Sequence, residues 1–201
     1  MEEDFYRLFV RVSVVAVILI RTPFDYRKNI TFITKLNQTA GPASLAEALS
    51  VIAFVLGLTI FPMLWSFGLF EFAQLLLPES IRFFGLLLAG CGLALFCSTH
   101  LFLGRNFSGT VEIREQHQLV QTGLYRFVRH PMYGAFIVMG FSYLLIAGNA
   151  FVGLASILGP YLLYRSRVER EEQALLAEFG EAYVSYSEKT GSLLPKLNRM
   201  R

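Results

Sequence analysis

The chain has 201 residues, of which 54% are hydrophobic and only 16% are charged, and its mean hydropathy is +0.50. A soluble domain usually carries charge on about a quarter of its residues. The length fits one compact unit better than two domains. The net charge of +3 is small and the basic residues form no continuous stripe, which disfavours a nucleic-acid partner. This composition indicates a membrane protein.

Three apolar runs in the first half of the chain are candidate membrane spans, because a helix needs about 20 apolar residues to cross the hydrocarbon core. The run 48–70 is uncharged, and Pro62 predicts a kink that neighbouring helices tolerate. The run 83–103 is a second uncharged span. The run 5–20 is shorter and holds two arginines, which we expect to extend toward an interface.

The run 134–164 predicts a helical hairpin. Its 31 uncharged residues would form a helix about 46 Å long, which is too long for one comfortable span. Gly148 and Asn149 at its midpoint are typical turn residues. We therefore predict helices over 134–147 and 150–164, each short enough to imply tilting or local thinning of the bilayer.

The three runs and the two halves of the hairpin predict an all-α, multi-pass transmembrane bundle with about five membrane helices. The first, third and last polar segments are rich in Lys and Arg, which predicts that they are cytoplasmic and that the N-terminus is outside. The acidic N-terminus is unlike a signal peptide, so we expect the first run to be retained. Residues 167–187 predict a cytoplasmic amphipathic helix, with regular structure ending at Pro195. We expect one integrated domain, with N-terminal membrane helices over 1–103 and a catalytic half over 104–201.

Two polar blocks flank the hairpin. The first extends from His117 to Gly134 and the second from Arg167 to Tyr186. Because the hairpin leaves and returns on one side of the membrane, both blocks are expected at the same face. The sequence therefore predicts that they form one site at the cytoplasmic surface.

The motifs in these blocks carry a family resemblance. The ordered series H-x-L-V, G-x-Y-R, R-H-P-x-Y-G and E-E…F-G-x-x-Y-x-x-Y, over roughly residues 104–195, resembles the isoprenylcysteine carboxyl methyltransferase family and its phospholipid methyltransferase relatives. The resemblance implies an S-adenosylmethionine-dependent membrane enzyme with no Rossmann sheet. Consistently, the chain has no strand followed by a G-x-G-x-x-G motif.

The resemblance also implies roles for individual residues. It implies that the cofactor is bound by His117, Gln118, Leu119, Val120, Tyr125, His130, Pro131, Met132, Tyr133, Glu171 and Glu172. Arg167 matches the position that contacts the acceptor substrate in such enzymes. Thr110 stands near the place where the eukaryotic prenylcysteine enzymes have a glutamine that helps to hold the cofactor, so the chain departs from the family there.

These residue types suit methyl transfer. Glu171 suits the cofactor's amino group or ribose hydroxyls, His130 suits its carboxylate, and a tyrosine suits its adenine. Transfer to a carboxylate moves no proton, so catalysis is mainly alignment and exclusion of water. Arg167 is suited to hold a carboxylate acceptor bidentately. An amine acceptor would need a base, for which Glu169 and His117 are the first candidates.

Several alternatives remain open at this stage. Arg167 favours a lipophilic carboxylate acceptor that enters from the bilayer, but a phospholipid amine and a small thiol are also candidates. Membrane sterol reductases resemble the same region and bind a reduced nicotinamide, although the Glu171–Glu172 pair would repel its phosphates. A third alternative is a non-catalytic membrane scaffold whose acidic residues form a solvated face. Three scattered histidines without a paired-ligand motif disfavour a metal site.

Overall fold

The structure is a computed structural model that describes residues 2–26, 45–104 and 118–196. Within these ranges every regular element is a helix, and no β-strand occurs, so the all-α prediction is confirmed. The elements in chain order are α1 (Glu2–Tyr26), α2 (Leu45–Ser66), α3 (Glu79–Leu103), a 3₁₀ turn (Gly123–Arg126), α4 (Pro131–Ala147), α5 (Ala150–Phe179) and α6 (Glu181–Lys189).

Helices α2 and α3 are long and apolar enough to cross a membrane, with 22 and 25 residues. They lie on the predicted runs 48–70 and 83–103, and α1 lies on the run 5–20. The outward side chains of these helices are largely apolar, as contact with lipid requires; exposed examples are Leu8, Val12, Leu19, Leu49, Ile52, Phe83 and Leu87. The full count of five crossing helices stays a prediction.

Helix α2 is interrupted by one turn of π-helix. The α-helical part Leu45–Val55 is followed by π-helical Leu56–Ile60 and then by α-helical Phe61–Ser66. Pro62 is the second residue of the last part, where its missing N–H removes one backbone hydrogen bond. The helix is thus irregular just before Pro62, in the form of a widened turn that ends at Ile60, whereas the kink predicted at Pro62 stays a prediction.

The helical hairpin has the predicted turn. Gly148 ends α4 in the left-handed region with φ 54°, and the Asn149 side chain caps α5 by accepting from the Val152 N–H at 3.0 Å. However, α5 does not end near residue 164 but continues unbroken for 30 residues to Phe179. The expected gap between the hairpin and the amphipathic helix was wrong, because no Gly or Pro interrupts the chain between Pro160 and Gly180.

Small residues let α2 and α4 approach the backbone of α5. A Cβ atom at Gly57 of α2 would lie 2.1 Å from the carbonyl oxygen of Ala155, and one at Gly140 of α4 would lie 2.3 Å from that of Ser156. The Ser156 hydroxyl lies 2.7 Å from the Gly57 carbonyl oxygen, in the π-helical turn. Close backbone packing and a polar contact between helices are the interactions that hold helices together in lipid.

We predict that Gly57→Ala destabilises the protein while Gly90→Ala does not. The new methyl at residue 57 must push two helices apart, which costs about 1–3 kcal/mol. A Cβ atom at Gly90 would have no neighbouring atom within 4 Å, and alanine there improves helix propensity by up to about 1 kcal/mol. Thermal unfolding in one detergent checks both variants; equal melting temperatures would contradict the packing argument.

Candidate active site

The two polar blocks meet where α4 begins. His130 is 6% exposed, and its Nε2 atom lies 3.1 Å from Glu172 Oε1 while its Nδ1 atom lies 3.3 Å from Glu171 Oε2. The Tyr133 hydroxyl donates to Glu171 Oε1 at 2.6 Å. Arg129 donates from Nε to Glu172 Oε1 at 2.9 Å. Two carboxylates of α5 thus face a histidine, a tyrosine and an arginine of the first block.

Local sequence explains this arrangement. Pro131 occupies the first turn of α4, so His130 lies at the helix N-cap position, and Tyr133 follows three residues later on the same side. Glu171 and Glu172 are neighbours on the charged part of α5. The continuity of α5 therefore fixes the position of both carboxylates relative to the hairpin.

The end of the described chain closes the cluster from the other side. The backbone N–H groups of Arg129 and His130 donate to the carbonyls of Gly191 and Ser192 at 2.8 and 3.0 Å. The Arg129 side chain also donates to the Thr190 carbonyl at 2.7 Å. The hydroxyls of Tyr164 and Ser192 lie 2.7 Å apart. Residues 190–192 therefore hold the first block in place.

The charges of the cluster shift the pKa values of its members. Burial alone would lower the pKa of His130, but hydrogen bonds to Glu171 and Glu172 outweigh it and raise the pKa above the ordinary 6.5. The hydrogen bond from His130, supported by Arg129, lowers the pKa of Glu172. Burial raises the pKa of Tyr125, and the nearby Tyr186 and Glu171 add to this effect. The cluster therefore favours a protonated imidazole between two carboxylates.

A buried carboxylate of α2 extends the cluster. Glu47 is 6% exposed, and its Oε1 atom accepts from Arg167 Nε at 3.1 Å while its other oxygen pairs with Arg170. The hydroxyls of Ser50 and Ser166 lie 2.7 Å apart. Because Arg167 also interacts with the Tyr133 hydroxyl, polar contacts continue from α2 through Arg167 to the cluster at His130.

The sequence interpretation did not identify Glu47. It took the apolar run from residue 48 onward and so left the carboxylate just outside. Glu47 is the one charged residue of α2, and an ionisable group at the end of an otherwise apolar membrane helix is a signal for a polar partner or a functional site. The sequence could not reveal which residue it pairs with.

The other predicted site residues differ in burial and in how close they lie to the cluster at His130. Tyr125 is buried close to the cluster, and its carbonyl accepts from the Tyr186 hydroxyl at 2.7 Å. Pro131 is buried, whereas Met132 packs against the hydrophobic core. Gln118 is exposed, and Leu119 and Val120 are half-buried. His117 and Thr110 lie outside the described residues.

Glu169 does not join the cluster. It is exposed on α5, and Gln173 donates to its Oε1 atom at 3.4 Å. Residues two positions apart on a helix do not face each other, so the carboxylate of Glu169 points away from that of Glu171. The structure thus separates Glu169, one of the two candidate bases, from the cluster at His130.

An apolar cavity of about 160 Å³ lies between α1, α2, α3 and α4. Its walls include Phe54, Phe96, Phe136 and Tyr143, and Arg21 is the charged residue in its lining. Phe54 follows Ser50 by about one helical turn, and Phe136 follows Tyr133 by about one turn. On both helices the lining of the cavity therefore begins about one turn beyond the polar residues Ser50 and Tyr133.

Comparisons with known proteins agree on one family. Residues 84–177 match the profile of the isoprenylcysteine carboxyl methyltransferase (ICMT) family. Protein-S-isoprenylcysteine O-methyltransferase B of Arabidopsis thaliana is 27% identical over 160 residues, which are 77% of this chain and 74% of that protein. The human protein-S-isoprenylcysteine O-methyltransferase is 31% identical over 113 residues, or 55% of this chain and 40% of the human protein.

A solved structure shares the fold. The structure of the eukaryotic intramembrane Ras methyltransferase ICMT superimposes with a TM-score of 0.58 at 23% sequence identity, and the match covers 94% of this chain. The match spans 62% of the length of the solved chain. The helical arrangement described above is therefore that of a known membrane fold.

We predict that stability is highest at mildly acidic pH. A raised pKa of His130 contributes stability that is complete below pH 6.5 and is lost as pH rises through the folded-state value. A lowered pKa of Glu172 contributes stability that is present above pH 4.5 and is lost as pH falls through its folded-state value. Melting temperatures measured across this range should fall on the alkaline side, and less steeply for His130→Gln. An unchanged alkaline slope in the variant would contradict this assignment.

Proposed function

We propose that the chain is a member of the isoprenylcysteine carboxyl methyltransferase family and that it methylates the carboxylate of an isoprenylcysteine-like acceptor with S-adenosylmethionine. The observation that carries the proposal is the position of Arg167 and Glu171. They are four residues apart and so share one side of α5, and both interact with Tyr133. A cation for the acceptor and a carboxylate for the cofactor are thus neighbours.

The residues of the cluster fit S-adenosylmethionine. The bound cofactor supplies a methyl group activated by a positively charged sulfur. Its amino group needs an acceptor, for which Glu171 is suited, and its carboxylate needs donors, for which His130 and Arg129 are suited. The rings of Tyr133 and Tyr164 have centroids 5.5 Å apart and offer aromatic surface for adenine. The further proposed cofactor contacts are Gln118, Leu119, Val120, Tyr125, Pro131, Met132, Glu172 and, outside the described residues, His117.

Arg167 is the proposed acceptor residue. Its planar guanidinium suits a carboxylate, and its Nε atom is held at 3.1 Å by the buried Glu47. A carboxylate acceptor reacts without losing a proton, so the protein must orient its oxygen toward the methyl carbon and keep water out. Glu169, one of the two candidate bases, is exposed and lies apart from the cluster, which gives a carboxylate acceptor more support than an amine acceptor.

The apolar cavity is the proposed site for the acceptor's lipid group. Its aromatic and aliphatic lining suits a prenyl chain, and on α2 and α4 that lining begins about one turn beyond Ser50 and Tyr133. Entry from the bilayer then places the apolar chain among α1–α4 and the carboxylate at Arg167. This orientation agrees with the proposed multi-pass topology, in which the cluster lies at the cytoplasmic face and membrane lipids surround the helices.

An assay with four acceptors tests the proposal. Protein in lipid nanodiscs receives methyl-labelled S-adenosylmethionine and an S-prenylcysteine derivative with a free carboxylate. The expected product is a methyl ester that releases labelled methanol in base. The matching carboxamide lacks the reacting oxygen and should remain unlabelled, whereas S-methylcysteine lacks the apolar chain and should react poorly. The fourth acceptor, phosphatidylethanolamine, should remain unlabelled.

Other outcomes would identify other functions. Base-stable label in the phospholipid would indicate an amine methyltransferase, and label on an added lipophilic thiol would indicate a thiol methyltransferase. Binding of a reduced nicotinamide in place of S-adenosylmethionine would indicate a reductase. Well-folded protein that binds neither cofactor would be a scaffold. Each of these results would contradict the proposed carboxyl methylation.

We predict that Arg167→Lys raises the KM for the acceptor by at least about tenfold, because lysine cannot reproduce a bidentate contact. The Kd for S-adenosylmethionine should change little. Glu47→Gln should act in the same direction but less strongly, since the amide oxygen still accepts from Arg167 Nε. Arg165→Lys, an exposed change on the same helix, is the control. A normal acceptor KM in Arg167→Lys would rule out the assigned role.

A further inference from the structure

The loop between α2 and α3 is unusually apolar for a connection between two helices. Residues 67–78, the capping loop, contain one charged residue, Glu71. Most of their exposed side chains are apolar: Leu76 is fully exposed, Phe67 and Phe72 are about three-fifths exposed, and Leu69 and Leu75 are also exposed. The exposed polar side chains are Glu71 and Gln74. Such a surface is unfavourable in water.

The capping loop is attached to the hairpin turn by hydrogen bonds. Asn149 is fully buried, and its Nδ2 atom donates to the carbonyls of Phe70 and Phe72 at 2.6 and 2.9 Å. The Ala150 N–H donates to the Ala73 carbonyl at 2.8 Å, and the Leu75 N–H donates to the Gly148 carbonyl at 2.6 Å. The loop thus satisfies the polar groups of the turn.

The backbone of the capping loop is strained to make these contacts. Phe70 and Ala73 have φ values of 64° and 62°, in the left-handed region that side chains other than glycine rarely adopt. The Phe70 ring packs inward on Phe61 and Phe151, with centroids 5.5 and 5.0 Å away. Strain of this kind persists only where surrounding contacts determine the conformation.

The length of α4 explains why the turn needs a cover. Its 17 residues span about 25 Å, less than the roughly 30 Å of a typical hydrocarbon core. The turn at Gly148 and Asn149 would then lie inside the membrane, where an unsatisfied backbone group is very unfavourable. Non-helical backbone is tolerated at that depth when protein groups satisfy it, and the capping loop provides such groups.

Charged residues near the capping loop indicate where the boundary between the hydrocarbon core and the lipid headgroups lies. Arg7 lies 3.7 Å from Glu71, and Arg82 pairs with Glu3 at 2.7 Å. The Arg11 guanidinium lies 4.4 Å from the centroid of the Phe67 ring. Arginines that pair and extend in this way are typical of the boundary between hydrocarbon and headgroups. The capping loop is therefore next to this boundary, between the ends of two membrane helices.

We propose that the capping loop is embedded in the bilayer and contacts lipid through Phe67, Leu69, Phe72, Leu75 and Leu76, while its backbone covers the tip of the short hairpin. The partner is the acyl-chain region of the leaflet opposite the His130 cluster. The surface is continuous with the apolar faces of α2 and α3, which end and begin at Ser66 and Glu79. The proposal is independent of the methyltransferase function.

Fluorescence quenching tests the proposal in intact protein. The background carries Cys91→Ala and Cys97→Ala, because these two free cysteines of α3 would otherwise react with the dye as well. A single environment-sensitive dye is attached at Leu76→Cys in nanodiscs whose phospholipids carry a nitroxide on the acyl chain. Leu87→Cys, exposed on α3, is the lipid-facing control, and Ala177→Cys on the charged part of α5 is the water-facing control.

We expect the label at residue 76 to resemble that at residue 87. Its ratio of lipid quenching to iodide quenching should exceed the ratio at residue 177 several-fold, with blue-shifted emission. Strong iodide quenching would place the loop in water and overturn the proposal. Protection from both quenchers would mean that protein, such as a second copy of the chain, covers the loop, and would also overturn it. Phe72→Cys provides a second position if the first variant fails to fold.

Discussion

The paired carboxylates of Glu171 and Glu172 are the constraint on which the site depends. Buried or half-buried charges are unfavourable unless they are paired and hydrogen-bonded. Here His130 bridges the two carboxylates, while Arg129 and Tyr133 satisfy their remaining positions. The arrangement therefore requires the start of α4 and the charged part of α5 to remain together. It also provides acceptors and donors of the kinds that S-adenosylmethionine needs.

The packing of the membrane helices fixes the position of this cluster. Helix α5 runs unbroken from the hairpin turn to Phe179, so its buried contacts with Gly57 and Gly140 fix the direction of its polar end. At that end, Glu47 connects Arg167 and Arg170 to the start of α2. The polar cluster and the apolar cavity thus share α2 and α4. A lipophilic acceptor with a carboxylate matches this combination better than a soluble substrate does.

The sequence predicted the parts of the fold that depend on local signals. Hydrophobic length located the membrane helices, and Gly148–Asn149 located the hairpin turn, because a left-handed residue and a helix cap are encoded locally. The continuity of α5 was missed since a change from apolar to charged composition was interpreted as a helix boundary. The pairing of Glu47 with Arg167, 120 residues away, depends on tertiary packing and has no local signature. The exposed position of Glu169 likewise follows from helix rotation about the packed face.

Mapping the cofactor contacts tests the central claim most directly. Folded protein in nanodiscs would be photo-crosslinked to labelled S-adenosylmethionine, and the modified peptides would be identified by mass spectrometry. The account predicts adducts in both 118–133 and 164–172, all competed by unlabelled cofactor. Competable adducts confined to residues 45–104, with neither polar block modified, would contradict it.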